Sequence, residues 1–133
     1  MDEQCFCTTL RNATRRVTAM YDEALRPLGI GIAQFGLLRK IGRSEPVTLS
    51  DLGDLAELDR STVGRNVRVL ERMKLVVLRP GEQDQRETVV LLSAQGRKLL
   101  QEGDRLWRSA QRGMKARLGT AAAAALLETL GDL

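Results

Sequence analysis

Residues 48–92 read TLSDLGDLAELDRSTVGRNVRVLERMKLVVLRPGEQDQRETVVLL, and Asp59-Arg60-Ser61-Thr62 near the middle is a helix start. Asp59 can accept from the free N–H groups of the first turn, and its charge suits the positive end of the helix dipole. From there Val63, Val67 and Leu70 fall at i, i+4 and i+7, one stripe that must face a core. At about 100° per residue, Ser61, Arg65, Arg68 and Arg72 point to the opposite side. The outward face is cationic and hydrogen-bonding.

Upstream, Ser50 is placed to cap a shorter helix with Leu52, Leu55 and Ala56 on its apolar side, and Ala56-Glu57-Leu58 turns into Asp59. Two short helices joined by such a turn, the second presenting Ser, Thr and Arg, form a helix-turn-helix, which sets its second helix in the DNA major groove. Downstream, Leu75–Leu78 and Thr88–Leu92 are rich in Val and Leu, and PGEQDQRE between them holds turn residues. This predicts a two-stranded hairpin with a charged tip, a wing. Residues 45–49 are too short for an independent strand but can add a third edge to it, the only position Pro46 suits.

Charge placement supports a nucleic-acid partner. The net charge is only +4, yet residues 59–79 hold six Arg and Lys against two acids, whereas residues 44–58 hold four acids and no base. The positive field therefore sits on the second helix and its sequel. At 133 residues and 43% hydrophobic content, one domain with a modest core is expected. No run approaches the roughly 18 apolar residues of a membrane span, and MDEQCFC lacks the regions of a signal peptide, so a cytoplasmic protein is expected. The chain has no histidine, which removes the commonest general base and metal ligand.

At the amino end Phe6, Leu10, Ala13, Val17, Tyr21, Ala24 and Leu28 recur three and four apart, predicting a long amphipathic helix that ends near Pro27 and Gly29. A second helix is predicted from about Ile32 to Ile41, with Phe35, Leu38 and Ile41 inward. After the wing, Ser93 begins a helix with Gly96, Leu99 or Leu100, Gly103, Trp107, Ala110, Met114 and Leu118 on one side. Gly119-Thr120 breaks it before an Ala-rich last helix. The terminal stripes exceed what so small a reading unit can cover, which implies a partner.

The chain resembles the MarR family of bacterial transcription regulators. The resemblance is carried by DRSTVGRNVRVLERMKLV, by Asp84-x-Arg86 in the wing, and by Leu91-Leu92-Ser93-x-x-Gly96 leading out of it. It implies a mainly α fold with a small β-wing: a winged helix-turn-helix with N- and C-terminal dimerisation helices. The unit is a single MarR-like domain over 1–133, with about 32–92 reading DNA and about 4–28 and 93–133 dimerising. A twofold homodimer matches a palindromic operator on double-stranded DNA, and repression is the usual family behaviour. Arg60, Ser61, Thr62, Arg65 and Asn66 are candidates for base edges and nearby phosphates, with Arg able to pair bidentately with guanine. Arg68 and Arg72 suit phosphates or neighbouring carboxylates rather than bases. Arg86 suits the minor groove, held in place by Asp84. The family usually has Thr where this chain has Gly31, so the second helix is expected to lack a strong cap.

Cys7 through Tyr21 is similar to the first helix of the organic-hydroperoxide-sensing (OhrR-like) branch, which implies that Cys7 is the reactive thiol and that Tyr21 hydrogen-bonds to it in the dimer. Arg11, one turn on, favours a thiolate. The branch has a second tyrosine where this chain has Arg11, and Pro-Gln-Tyr where it has Ala33-Gln34-Phe35. Cys5, or a thiol of the other subunit, is left to resolve a sulfenic acid. The alternatives are buried structural cysteines with a small aromatic acid bound by Arg15, Thr18, Tyr21 and Phe35, soft-metal binding by Cys5-x-Cys7 pairs, and a cysteine peroxidase. The last lacks a catalytic constellation. Neither a cofactor nor a metal is expected, and the protein is read as no enzyme.

Overall fold

The computed structural model describes residues 3–133. Helix α1 (Phe6–Leu25) runs into a short 3-10 turn, Arg26–Leu28, and stops at Gly29, whose φ of 69° is left-handed. Helix α2 (Ile32–Ser44) follows, one turn longer than its apolar periodicity predicts. Gly31 has no side chain to cap it. The cap comes from elsewhere: Asp22 of α1 accepts from the Ile32 amide at 2.8 Å, and Gln34 accepts from the Gly31 amide at 3.1 Å. A Cβ on residue 31 would lie 3.0 Å from the Asp22 carboxylate, so the missing side chain makes room for its replacement.

The reading unit continues through β1 (Val47–Thr48), α3 (Leu49–Ala56), α4 (Arg60–Arg72), β2 (Val76–Pro80) and β3 (Thr88–Leu92). The sheet is antiparallel in the order β1-β3-β2, so the short segment after Pro46 does add an edge to the wing hairpin. The cap of α3 differs from expectation. Thr48, not Ser50, accepts from the Asp51 amide at 3.0 Å, and Ser50 lies exposed inside the first turn. Pairing of Thr48 with Val89 holds Thr48 extended, the backbone state an N-cap needs. Glu57, left-handed at φ 55°, makes the turn into Asp59.

Helix α5 (Ala94–Leu118) is capped by Ser93, which accepts from the Gly96 amide at 3.0 Å while donating to the Lys74 carbonyl at 2.6 Å. Gly119, at φ 86°, turns the chain into α6 (Thr120–Gly131). The core lies between α2, α3, α4 and the sheet, around Leu38, Ile41, Leu52, Val63, Val67, Leu70 and Val90, all fully buried. Phe35 reaches from α2 to α5, where Gly103 leaves space for its ring. Helices α1, α5 and α6 pack beside this core but leave Phe6, Leu10, Leu118, Leu126, Leu127 and Leu130 exposed.

Candidate nucleic-acid interface

The Asp59 carboxylate accepts from the Thr62 amide at 2.8 Å and from the Ser61 hydroxyl at 2.9 Å. The Thr62 amide first, and the Ser61 hydroxyl next, hold its pKa below the ordinary 3.8. The three-residue stripe Val63, Val67 and Leu70 is wholly buried, as its spacing predicts. That burial fixes the rotation of α4 and turns Ser61, Arg65, Arg68 and Arg72 to solvent. Arg60 is exposed in the first turn, and Arg65 reaches back to the Thr62 hydroxyl at 3.4 Å.

Asn66 stands apart from this face. It is exposed and borders a small crevice shared with Ala33, Gln34, Leu37 and Val69, between α4 and α2. At the wing, Asp84 accepts from both the Arg86 amide at 3.0 Å and the Arg86 Nε at 3.3 Å. The Arg86 side chain is 92% exposed. Asp84 thus orients a guanidinium that projects freely from the hairpin tip, on the reading unit that carries α4. Such an ion pair contributes little stability, under about 1 kcal/mol, so its geometry is its main consequence.

The residues singled out for effector sensing do not assemble in one protomer. Cys5 and Cys7 are exposed free thiols at the start of α1. The Cys5 thiol is held below its ordinary pKa, chiefly by the Thr8 amide at the helix start. Tyr21 is buried, its pKa is raised by that burial, and its hydroxyl donates to Gln111 of α5. Tyr21 stands fourteen helical rises after Cys7, about 21 Å at 1.5 Å per residue, so a bond between them requires two chains. Arg11 is exposed one turn from Cys7.

Of the four proposed pocket residues, only Thr18 and Tyr21 line a common cavity, about 350 Å³ between α1, α5 and α6. Arg15 is exposed and donates to Asn12. Phe35 is 1% exposed in the core against α5. Gln111, which no local pattern marks, is the polar group that meets Tyr21 inside this cavity. Among the described residues no group of three or more possible metal ligands occurs, and no helix is long and apolar enough to cross a membrane.

A helix-turn-helix with a cationic second helix, followed by a wing carrying an outward arginine, defines a winged-helix DNA-binding protein. A profile of the MarR family matches residues 28–87. The chain is 34% identical to the Mycobacterium tuberculosis transcriptional regulator MosR, solved in complex with DNA, over 97% of both chains, with a TM-score of 0.82. It is 27% identical to the organic hydroperoxide resistance transcriptional regulator of Bacillus subtilis, over 96% of this chain and 90% of that one. The Staphylococcus aureus MepR–DNA complex shares the fold, with a TM-score of 0.84 at 21% identity over 98% of this chain and 100% of that one. The chain belongs to the MarR family of transcriptional regulators.

Proposed function

We propose that the protein is a homodimeric, cytoplasmic repressor that binds a palindromic operator and releases it when Cys7 is oxidised. The observation that carries the DNA reading is the exposed arginine face of α4, fixed in rotation by the fully buried Val63, Val67 and Leu70. MosR, the solved relative at 34% identity, is described in complex with DNA, which supports the same role here. Arg65 reads base edges with Ser61 and Thr62, Arg60 and Arg68 meet phosphates, and Arg86 enters the minor groove.

The dimer follows from exposed apolar area. Leu10, Leu118, Leu126, Leu127 and Leu130 border one cavity of α1, α5 and α6 while staying exposed, Leu127 at 64%, an apolar surface that suits a partner. Interlocked α1, α5 and α6 from two copies cover them and fill the cavity beside Tyr21. Two recognition helices then address half-sites about one helical turn apart, roughly 34–36 Å.

Two exposed thiols sit where the dimer helices begin, which favours oxidation. The Cys7 thiolate takes the terminal oxygen of an organic hydroperoxide, the O–O bond breaks, and the alcohol leaves after gaining a proton. Cys7 becomes a sulfenic acid, and Cys5 or a thiol of the second chain condenses with it, releasing water. Repacking of the helix ends changes the separation of the recognition helices. The similarity to the hydroperoxide-resistance regulator of Bacillus subtilis supports this reading. The alternative is release by a small aromatic acid with the cysteines structural. Fluorescence anisotropy on the DNA flanking its own gene tests both. Cumene hydroperoxide should release wild type, dithiothreitol should restore binding, and Cys7→Ser should bind DNA yet ignore the oxidant. An oxidant response in Cys7→Ser, or none in wild type, rules out the thiol mechanism.

A further inference from the structure

Strand β1 pairs with β3 through Val47 opposite Val90 and Thr48 opposite Val89. Carried two residues back, the same register would set Glu45 opposite Leu92. The ladder stops short of that pair because Pro46 has no N–H to add and Glu45 is the C-cap of α2. A side chain completes it instead: the Leu92 amide donates to Glu45 Oε2 at 2.8 Å. The other carboxylate oxygen, Oε1, pairs with Arg97 in the first turn of α5.

One carboxylate therefore joins the end of α2, the last residue of β3 and the start of α5. The Glu45 side chain is 16% exposed, so solvent screens this contact less than the exposed ion pairs elsewhere on the chain. A charged acceptor also makes the stronger kind of hydrogen bond. On the far side of the same junction, the Ser93 hydroxyl and amide donate to the Lys74 and Leu75 carbonyls. Leu92 and Ser93 are thus the root of the wing, fastened to the turn after α4 by Ser93 and to α2 by Glu45. Arg86 stands six residues before Leu92, up to roughly 20 Å along extended chain. A small tilt at the root is magnified over that arm. Helix α4 does not share the tilt, because Val63, Val67 and Leu70 fix its rotation in the core.

We propose that Glu45 is the positioning residue of the wing: by holding the root of β3 against α2 it sets where Arg86 stands relative to α4, and so whether one duplex meets both. It is not itself a DNA contact. This role rests on the DNA reading above and on the wing role of Arg86. Loss of Glu45 should leave α4 reading its bases and remove what Arg86 adds.

A double-mutant cycle on the intact protein separates this role from a general weakening of the fold. Fluorescence anisotropy on the DNA flanking its own gene gives the affinities of wild type, Glu45→Ala, Arg86→Ala and the double variant at one salt concentration. Glu45→Ala alone should weaken binding about fivefold or more, but less than about twofold once Arg86→Ala is present, since no guanidinium is left to misplace. Glu45→Gln keeps an oxygen for the Leu92 amide and should lose less, with the same dependence on Arg86; it carries the test where Glu45→Ala does not fold. An equal loss with and without Arg86 overturns the proposal, as does unaltered affinity in every folded Glu45 variant. Failure of wild type to bind, or of Arg86→Ala to weaken binding, instead removes the underlying reading and this role with it.

Discussion

Gly96→Ala probes the joint between the wing and α5. A Cβ built on Gly96 overlaps the Leu75 carbonyl oxygen and lies 3.1 Å from the Leu75 carbonyl carbon. That oxygen cannot easily retreat, because it accepts from the Ser93 amide at 3.0 Å and its neighbour, the Lys74 carbonyl, accepts from the Ser93 hydroxyl at 2.6 Å. Overpacking against such backbone costs about 1–3 kcal/mol. Loss of the Ser93 hydrogen bond adds about 1 kcal/mol. The better helix propensity of alanine returns up to about 1 kcal/mol, leaving a net loss of about 1–3 kcal/mol. Gly113, on the same helix, is the control: a Cβ there meets nothing within 4 Å, so Gly113→Ala should gain about 0.5–1 kcal/mol. Urea unfolding at one protomer concentration, with a shared slope, measures both, since subunit association makes apparent stability depend on concentration. If Gly96→Ala is as stable as wild type, or the two variants shift in the same direction, the close approach of α5 to the wing is not what requires glycine.

Arg65→Ala should weaken specific DNA binding by about 1–3 kcal/mol while barely changing nonspecific affinity; equal loss on every sequence would make Arg65 a phosphate contact. Arg86→Ala should weaken operator binding in the same titration and leave the urea midpoint near wild type, because its ion pair with Asp84 is exposed. Unchanged affinity would remove the wing tip from the interface. Asp59 has a folded pKa below its unfolded value, so its stabilising contribution is complete above about pH 4 and disappears as the pH falls through the folded value. Asp59→Asn keeps an N-cap that does not titrate, and its thermal midpoint should fall less steeply on acidification; matching acid limbs would contradict the capping role.

The local sequence determined the parts whose signals lie within a turn or two of one another. Asp59 and the stripe Val63, Val67 and Leu70 specify both the start and the rotation of α4; Ser93 specifies the start of α5, and the Val and Leu run specifies β3 over Thr88–Leu92. The DNA face was therefore readable, since orienting one helix needs only its own period and cap.

The tertiary structure decided what depends on residues distant in sequence. Thr48 displaces Ser50 as a cap because strand pairing with Val89 sets its backbone. Asp22 caps α2 from ten residues away, and Tyr21 meets Gln111 across a separation of 90. The family resemblance places Arg15, Thr18, Tyr21 and Phe35 around one pocket, yet Phe35 of α2 packs in the core against Gly103 and Arg15 of α1 lies in solvent. The contact of Arg39 with Trp107 joins α2 to α5 and has no local signature at all. Periodicity states which side of a helix is apolar, but which side chains meet across two helices depends on their spacing, crossing and close-approach residues, and these exist only once the whole chain has packed.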